Sequence, residues 1–173
     1  MKRIVEQLLL LARIGRYMLT LEEIDVSEAI ESTIDGYELV CKTHSFSLES
    51  EPGIVAVADK NLFTECVRAV ADNAIKYSDE NTTIKFTVHA DGGYAVVKII
   101  DSGKGIAPAD LPHIFDRFYR CDRARGRDKN SSGLGLTIAK SAVEMMNGTI
   151  EAESEQGVGS TFTLRFPLKE KKS

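Results

Sequence analysis

The chain has 173 residues, enough for one ordinary domain with a real core and a short appendage. A hydrophobic fraction of 43% and a net charge of -4 fit a globular protein and argue against a nucleic-acid binder, which would carry a basic patch. The three cysteines are far apart and form no zinc or disulfide pattern, and the early apolar run Leu8–Ala12 is too short for a membrane span or a secretory signal.

Two helices are predicted at the start of the chain. Residues 2–16 carry an apolar stripe that is wide for so short a helix, which favours packing against partner helices from the same domain or from a second chain. Asp25 and Glu28 have the spacing of a capping box, in which side chains bond the exposed N–H groups at a helix start. They predict a second helix from about Val26 to Lys42.

Two short strands and one long helix are predicted next. Phe46–Glu49 and Ile54–Ala58 have the composition of strands on either side of a turn that contains Pro52. Asp59 then starts an amphipathic helix that runs to about Tyr77. The apolar face of this helix consists of Leu62, Phe63, Cys66, Val67, Val70, Ala74 and Ile75.

The second half of the chain predicts four more strands and a helix. Ile84–His89 and Tyr94–Ile100 are predicted as strands joined by a turn that contains two glycines. Gly135–Met146 is predicted as a helix, and Thr149–Ser154 and Ser160–Phe166 as a final pair of strands.

Residues 103–132 interrupt this regular pattern. They are rich in Gly, Pro, Asp, Arg and Ser, and hold one short apolar cluster around Phe115 and Phe118. A compact domain rarely keeps so long an irregular segment unless the segment has a function. We expect burial of the two phenylalanines to anchor it.

The stretch ADNAIKYS, residues 71–78, ends the long helix. Asn73, Lys76 and Tyr77 lie within about one turn, so they can contact one ligand together. A side-chain amide oxygen can coordinate Mg²⁺, and a lysine ammonium can pair with a phosphate. The alternative interpretation is the ordinary polar end of a surface helix.

The stretch DSGKGI, residues 101–106, follows an apolar strand. An inward carboxylate at Asp101 can accept a hydrogen bond from an amine such as the exocyclic nitrogen of adenine. Gly103 and Gly105 are expected to let the backbone approach a ring without a Cβ in the way. A simple turn would give the same pattern.

The stretch SSGLGLTIAK, residues 131–140, leads two glycines directly into a helix. Backbone N–H groups at a helix N-terminus form an anion site. The spacing matches neither a Walker A loop nor a dinucleotide-binding fingerprint, and a glycine-rich loop without a ligand is the alternative.

In this order the stretches resemble the ATP-binding domain of bacterial sensor histidine kinases, in the gyrase-like ATPase superfamily. DNAIKYS is similar to the N box of that family and DSGKGI to its first glycine box. IFDRFYR (114–120) is similar to the F box, and GLGL (133–136) to the second glycine box. The last pair of strands is also similar, so the resemblance covers about residues 26–167.

The resemblance implies a fold and a division of the chain. The fold is a two-layer α/β sandwich, the Bergerat fold, with a mixed sheet of about five strands packed on three helices, plus the N-terminal helix. Residues 1–20 would be a remnant of the second helix of a dimerisation hairpin. Residues 21–173 would be the ATP-binding domain, with an ATP lid at about 103–132.

The resemblance also implies roles for individual residues. Asn73 would hold Mg²⁺ and act with Lys76 in catalysis, and Asp101 would hold adenine. Nucleotide contacts are expected from Asn73, Lys76, Tyr77, Asp101, Gly103, Gly105, Ile106, Ile114, Tyr119, Arg120, Ser132, Gly133, Leu134, Gly135, Leu136 and Thr161.

The implied activity is transfer of the γ-phosphoryl group of ATP to a histidine on the dimerisation hairpin, with ATP and Mg²⁺ as cofactors. The implied partners are ATP or ADP, that hairpin, the receiver domain of a response regulator and a second copy of the parent protein, without nucleic acid. The family context implies a cytoplasmic domain of a membrane-anchored parent.

Two features depart from the family pattern. Ala69 stands one turn before Asn73, where the family usually has a polar residue, often Asn, and a methyl group cannot ligate Mg²⁺. None of His44, His89 and His113 lies in a sequence like that of the phosphoacceptor. The chain is therefore expected to be a fragment, or a partner in trans, that does not autophosphorylate by itself.

Three other functions stay open at this point. An ATP-hydrolysing clamp of the same superfamily, as in gyrase or heat-shock chaperones, would hydrolyse ATP rapidly as the isolated chain. A serine/threonine kinase of the anti-sigma type would label a protein serine. A nucleotide-sensing module with weak or no kinase activity would follow from the apolar residue at Ala69.

Overall fold

The computed structural model describes residues 18–120 and 133–170. Within these residues the chain forms three α-helices, seven β-strands and a short 3-10 turn at Leu111–His113. The helices are α1 (Val26–Val40), α2 (Lys60–Tyr77) and α3 (Gly135–Met145). The strands are β1 (Leu21–Asp25), β2 (Ser45–Ser50), β3 (Val55–Asp59), β4 (Thr83–Asp91), β5 (Tyr94–Asp101), β6 (Thr149–Glu155) and β7 (Gly159–Pro167).

Five of the described strands form a mixed sheet in the order β2-β4-β5-β7-β6. β2 is parallel to β4, and the other neighbouring strands are antiparallel. Alternate residues of a strand point to opposite faces, and Val97 and Ile99 of β5 lie on the buried face beside Leu164 and Phe162 of β7. The three helices cover this face, which confirms the predicted two-layer sandwich.

The apolar stripe of α2 explains why this helix packs at the centre of the helical layer. Asp59 caps the helix by accepting hydrogen bonds from the N–H groups of Asn61 and Leu62. One turn further on, the ring of Phe63 lies 4.7 Å from that of Phe166 in β7. Burying such a ring contributes about 2–3 kcal/mol, and Phe63→Ala would remove it and leave a cavity.

The two strands predicted around the turn at Pro52 are confirmed, but they do not pair with each other. β2 joins the five-stranded sheet, whereas β3 pairs with β1 in a separate two-stranded sheet. β1 was not predicted, because in its sequence LEEID only Ile24 is buried and the alternation of a half-buried strand is therefore missing.

Both described ends of the domain are attached to β3. The N–H of Thr20 donates to Asp59 Oδ2 at 3.0 Å. The N–H of Lys169 donates to the Val55 carbonyl at 2.9 Å, and Lys169 Nζ lies 2.8 Å from Glu23 Oε2 in β1. These bonds hold the small sheet against the rest of the domain.

The other predicted elements agree with the structure where it describes them. The N-cap of α1 is confirmed, because Asp25 accepts a hydrogen bond from the N–H of Glu28 at 3.0 Å. The predicted helix over residues 2–16 and residues 121–132 of the predicted lid lie outside the described residues. In the part of the chain that is described, no helix is both long and apolar enough to span a membrane.

Candidate functional site

Asp101 ends β5 and faces the helical layer. Its side chain is 7% exposed and accepts a hydrogen bond from the N–H of Gly103 at 2.8 Å. Burial raises the pKa of Asp101 above the ordinary value for an aspartate, and the backbone bonds from Gly103 and Ser160 lower it by less. A carboxylate has about four acceptor positions, so two backbone donors leave capacity for a ligand.

The glycines that follow Asp101 are required by the chain's own packing. A Cβ on Gly103 would overlap the carbonyl oxygen of Tyr77. Gly105 has a φ of +64°, and a Cβ there would overlap the carbonyl oxygen of Glu155. The expectation that these glycines leave space for a ring is therefore corrected, because protein backbone fills the space beside each of them.

The loop after Asp101 is hydrogen-bonded on two sides. The N–H of Lys104 donates to the carbonyl of Tyr77 at 3.1 Å, and the carbonyl of Lys104 accepts from the N–H of Gly157 at 2.8 Å. The N–H of Ile106 donates to Ser154 Oγ at 2.8 Å. The loop thus joins the end of α2 to the β6–β7 turn.

The last turn of α2 lies beside this loop. Asn73 and Tyr77 are half-buried, and Lys76 is exposed, with its ammonium 5.1 Å from the centre of the Tyr77 ring. The bond from Lys104 to the Tyr77 carbonyl brings this turn next to the loop that starts at Asp101. The structure therefore brings two of the predicted polar stretches together.

In the last turns of α2, Asn73 offers an amide for a cation. Asn73 has a carboxamide oxygen, whereas Ala69, one turn earlier, packs against the hydrophobic core. Among the described residues, no group of three or more His, Cys, Asp or Glu side chains could hold a metal ion. This donor set fits Mg²⁺ that is held mainly by phosphate oxygens and water, with Asn73 as the protein ligand.

The F-box stretch anchors the start of the predicted lid through one phenylalanine. Ile114 is buried in the core, and the ring of Phe115 packs edge-on against Phe162 with 6.4 Å between centres. Phe118 is 64% exposed and has a φ of 61°, so the expectation that it is buried was wrong. The positive φ at Phe118 breaks any regular run from Phe115, so the two rings do not share one buried face.

Tyr119 lies between Asp110, which precedes the F-box stretch, and Gly133 at the second glycine box. Its hydroxyl donates to Asp110 Oδ1 at 2.5 Å, and its carbonyl oxygen would lie 2.8 Å from a Cβ on Gly133, whose φ is +68°. The half-buried Arg120 follows it. The nucleotide contacts expected of Tyr119 and Arg120 stay predictions.

The second glycine box lies at the start of α3. Leu134 is fully buried, Gly135 and Leu136 are half-buried, and a Cβ on Gly135 would meet open space. No side chain in the described part of the chain caps this helix. Its first N–H groups suit an anion, as predicted, and Ser132 lies outside the described residues.

Comparison with known proteins now gives the family. Residues 58–170 match the family described as histidine kinase-, DNA gyrase B-, and HSP90-like ATPase. The chain belongs to this family. It is 35% identical over 170 residues to the signal transduction histidine-protein kinase ArlS of Staphylococcus epidermidis. This alignment covers 96% of this chain and 37% of that protein.

Two further comparisons agree. The sensor histidine kinase WalK of Bacillus subtilis is 33% identical over 176 residues, covering 98% of this chain and 29% of that protein. The crystal structure of full-length ShkA in complex with AMPPNP has the same fold, with a TM-score of 0.84 and 24% identity over 99% of this chain and 36% of that one. The chain spans about a third of the length of the curated relatives it matches, and it contains the ATPase domain of the histidine kinase type, which is the catalytic part of such enzymes.

In this histidine kinase-type ATPase domain, the sheet register separates Thr161 from Asp101. Ser160 lies opposite Asp101, and Thr161 lies opposite Ile100. Because neighbouring residues of a strand point to opposite faces, Thr161 faces away from the site. The assignment of Thr161 is therefore corrected.

Ser160 is the site residue that the sequence analysis missed. It is buried next to Asp101, and its Oγ lies 2.9 Å from Ser154 Oγ, the group that also binds the loop after Asp101. The signal was available in the alternation of β7, since Phe162 and Leu164 predict that Ser160 shares their buried face.

A separate groove of about 430 Å³ lies between α1 and the first half of α2. It includes neither Asp101 nor the last turn of α2, and its rim carries Glu22, Glu23, Asp25, Glu28, Lys60 and Arg68. The buried carboxylate, its hydrogen-bonded loop and the helix ends are the better candidate for the ATPase site, because they combine a buried acceptor with a helix start whose N–H groups suit an anion.

Proposed function

We propose that this chain binds ATP with Mg²⁺ and donates the γ-phosphoryl group to a histidine on the dimerisation hairpin of its parent protein, as one step of a two-component phosphorelay. The observation that carries the proposal is the buried Asp101 at a strand end, held in a hydrogen-bonded loop beside the last turn of α2. Membership of the histidine kinase-type ATPase family supports it.

Asp101 selects the base. Its carboxylate accepts a hydrogen bond from the exocyclic amine of adenine, while Ser160 lies beside it on the same face. A base without that amine would leave a buried, unpaired carboxylate, which costs binding free energy. ATP is therefore expected to bind much more tightly than GTP.

The helix ends hold the phosphates. Lys76 offers a cation at the end of α2, and the first N–H groups of α3 offer donors with the helix dipole behind them. Asn73 holds Mg²⁺, which when bound neutralises phosphate charge. The work of the chain in phosphoryl transfer is mainly to position the nucleotide and stabilise its charge.

The acceptor histidine comes from outside the described residues. His44 lies in the loop after α1, His89 lies in β4, and His113, which ends the 3-10 turn, pairs with Asp116. In the transfer step a neutral imidazole nitrogen of the hairpin bonds to the γ-phosphorus, and the bond to the departing ADP oxygen breaks.

The parent protein supplies the remaining partners. The relatives that this chain matches are about three times as long as the chain, which supports a parent that also carries the hairpin and a sensor. We place this domain in the cytoplasm of a membrane-anchored homodimer that passes the phosphoryl group to a response regulator.

A sensor module with weak or no kinase activity is the second candidate. The observation that favours it is Ala69, an apolar side chain packed against the core one turn before Asn73. With one protein ligand fewer, Mg²⁺ would contribute less to nucleotide binding.

Calorimetric titration of the chain with ATP, ADP and GTP, with and without Mg²⁺, tests nucleotide binding. Asp101→Asn is the test variant, and Asp91→Asn, at the exposed end of β4, is the matched control. Tight ATP binding that needs Asp101, responds to Mg²⁺ and is kept in the control is expected. Absence of binding by the folded chain would overturn the proposal, and binding indifferent to Mg²⁺ would favour the sensor module.

Radiolabelled γ-phosphoryl transfer tests the reaction. The chain is mixed with a separately produced histidine hairpin of a related sensor kinase, and acid-labile label on the hairpin is expected. Label on serine would favour the anti-sigma type of kinase, and rapid release of phosphate without any hairpin would favour the clamp.

A further inference from the structure

The C-terminal end of α2 has a second attachment besides the one to Lys104. Ser78 follows Tyr77 and ends the helix, and both its N–H and its hydroxyl donate to the carbonyl of Ala74, at 3.1 and 2.7 Å. His44 Nε2 lies 3.0 Å from Ser78 Oγ. Because the hydroxyl hydrogen is directed to Ala74, the hydroxyl oxygen accepts from His44, and Nε2 carries the hydrogen.

The other ring nitrogen of His44 is also held. Thr43 Oγ1 lies 2.9 Å from His44 Nδ1, and in the tautomer with the hydrogen on Nε2 the Thr43 hydroxyl donates to Nδ1. The carbonyl of Thr43 in turn accepts from the N–H of Asn81 at 2.6 Å, across from the start of β4. The ring therefore has a fixed orientation between the loop after α1 and the end of α2.

We propose that His44 is a positioning residue for the nucleotide site: through Ser78 it fixes the last turn of α2, and so fixes Asn73, Lys76 and Tyr77 relative to the loop after Asp101. The Ala74 carbonyl that Ser78 binds belongs to the residue that follows Asn73 in α2. A group that holds a ligand works best when neighbouring hydrogen bonds lock its position. This inference rests on the proposed function of the site.

The other two histidines do not have this arrangement. His89 lies in β4 opposite Val96 of β5, and His113 is exposed and pairs with Asp116 in the lid stretch. Thus His89, also half-buried, is a matched control for the loss of an imidazole that does not contact α2.

The first test compares nucleotide affinity in three variants of the chain. His44→Phe keeps a ring without a donor, His44→Gln keeps an N–H donor near the position of Nε2, and His89→Phe is the control. We expect the Kd for Mg-ATP to rise about 2- to 10-fold in His44→Phe, the effect of one net hydrogen bond, and to stay within about twofold in the other two. Equal losses in His44→Phe and His44→Gln would overturn the role of the Nε2 donor.

The second test needs no nucleotide. The amide ¹H–¹⁵N signals of Asn73, Lys76 and Tyr77 are expected to shift in His44→Phe and to return in His44→Gln. Signals that stay unchanged in His44→Phe would overturn the inference. If the wild-type chain bound no nucleotide, the proposed function would fail, whereas these signals would still decide whether His44 positions the end of α2.

Ser78→Ala removes the same hydrogen bond by deleting the other partner, and it replaces His44→Phe as the test variant if His44→Phe does not fold. It is expected to change affinity and amide signals in the same direction as His44→Phe. The double variant is expected to lose no more affinity than the larger single loss, because one bond connects the two residues. Fully additive losses would overturn the connection.

Discussion

Two strands of this domain end in a buried aspartate, and the two aspartates differ in what binds them. Asp59 at the end of β3 is 2% exposed, and Asp101 at the end of β5 is 7% exposed. Asp59 accepts from three backbone N–H groups, those of Thr20, Asn61 and Leu62, at 3.0, 3.1 and 3.1 Å. These bonds use both of its oxygens.

Asp101 has fewer backbone donors and a raised pKa, because burial outweighs the bonds from Gly103 and Ser160. The comparison shows that burial of a carboxylate does not by itself indicate a binding site. A carboxylate that binds three backbone N–H groups through both oxygens, such as Asp59, holds a helix start and a neighbouring segment together. A carboxylate whose burial is only partly compensated, such as Asp101, has capacity for a ligand.

The largest effect is expected at Asp59. Asp59→Ala removes the cap of α2 and leaves three backbone N–H groups, the buried one of Leu62 among them, without this partner, so the free energy of unfolding should fall by about 3 kcal/mol. Urea unfolding measures this, and Asp59→Asn, which keeps one acceptor oxygen, should lose less. A loss below about 1 kcal/mol would contradict the structural role.

The next effect is expected at Asp101, on affinity rather than stability. Asp101→Asn should weaken ATP binding about 10- to 100-fold, the effect of losing a hydrogen bond to a charged group. Calorimetry measures the affinity, and thermal unfolding should show no loss of stability at pH 7. If stability fell as far as in Asp59→Ala, the two aspartates would not differ in the way described.

Substitution of a glycine in the loop after Asp101 tests whether the shape of this loop contributes to stability. Gly105→Ala should lower the free energy of unfolding by about 2 kcal/mol, because φ is positive and the new Cβ would overlap the Glu155 carbonyl. Gly135→Ala is the matched control, since a Cβ there meets open space in α3. Chemical denaturation measures the free energy of unfolding of both variants. Equal losses of this free energy would show that the fixed shape of the loop does not cause the loss in Gly105→Ala.

A smaller effect is expected at Ala69. Ala69→Asn would place a second amide one turn before Asn73, and should raise the Mg²⁺-dependent part of ATP affinity about 2- to 5-fold. Titration with and without Mg²⁺ gives that part by difference. The same affinity in both chains would show that this position does not limit metal binding, which would remove the main argument for a sensor module.

The smallest expected effect is a pH dependence of stability. Because the pKa of Asp101 is raised in the folded chain, the stabilisation from its proton is fully present below the pKa of the unfolded state and is lost as pH rises through the folded pKa. Relative to Asp101→Asn, the wild-type chain should therefore become less stable over that rise. Unfolding series from acidic to neutral pH measure the difference, and a constant difference would contradict the raised pKa.

Much of the fold could be predicted because hydrophobic periodicity determines it. The long helix that ends at Tyr77 and the strands that carry Asp101 and Ser160 follow from regular apolar spacing. The pairing of the early strands could not be predicted in this way. β2 and β3 follow each other in sequence, but each pairs with a strand that is distant from the turn between them.

The site was predicted as a set of motifs, and the errors concern the direction of side chains. Thr161 was assigned to the site although the sheet register turns it away, and Ser160 was missed by one position. Phe118 is exposed, and its burial was wrongly expected because an irregular segment has no period from which burial can be predicted. The glycines were identified correctly as necessary, but the atoms that require them belong to residues distant in sequence.

The attachment of both described ends to β3 has consequences for circular permutation of the domain and for its response to mechanical tension. Thr20 and Lys169 each donate a backbone hydrogen bond to this five-residue strand. The two ends therefore lie about 10–20 Å apart, within the length of such a strand. A circular permutant that joins Thr20 to Lys169 through a short linker, with new termini in the exposed Gly92–Gly93 turn, should keep the described fold, and tension applied at Thr20 and Lys169 would act on β3 first.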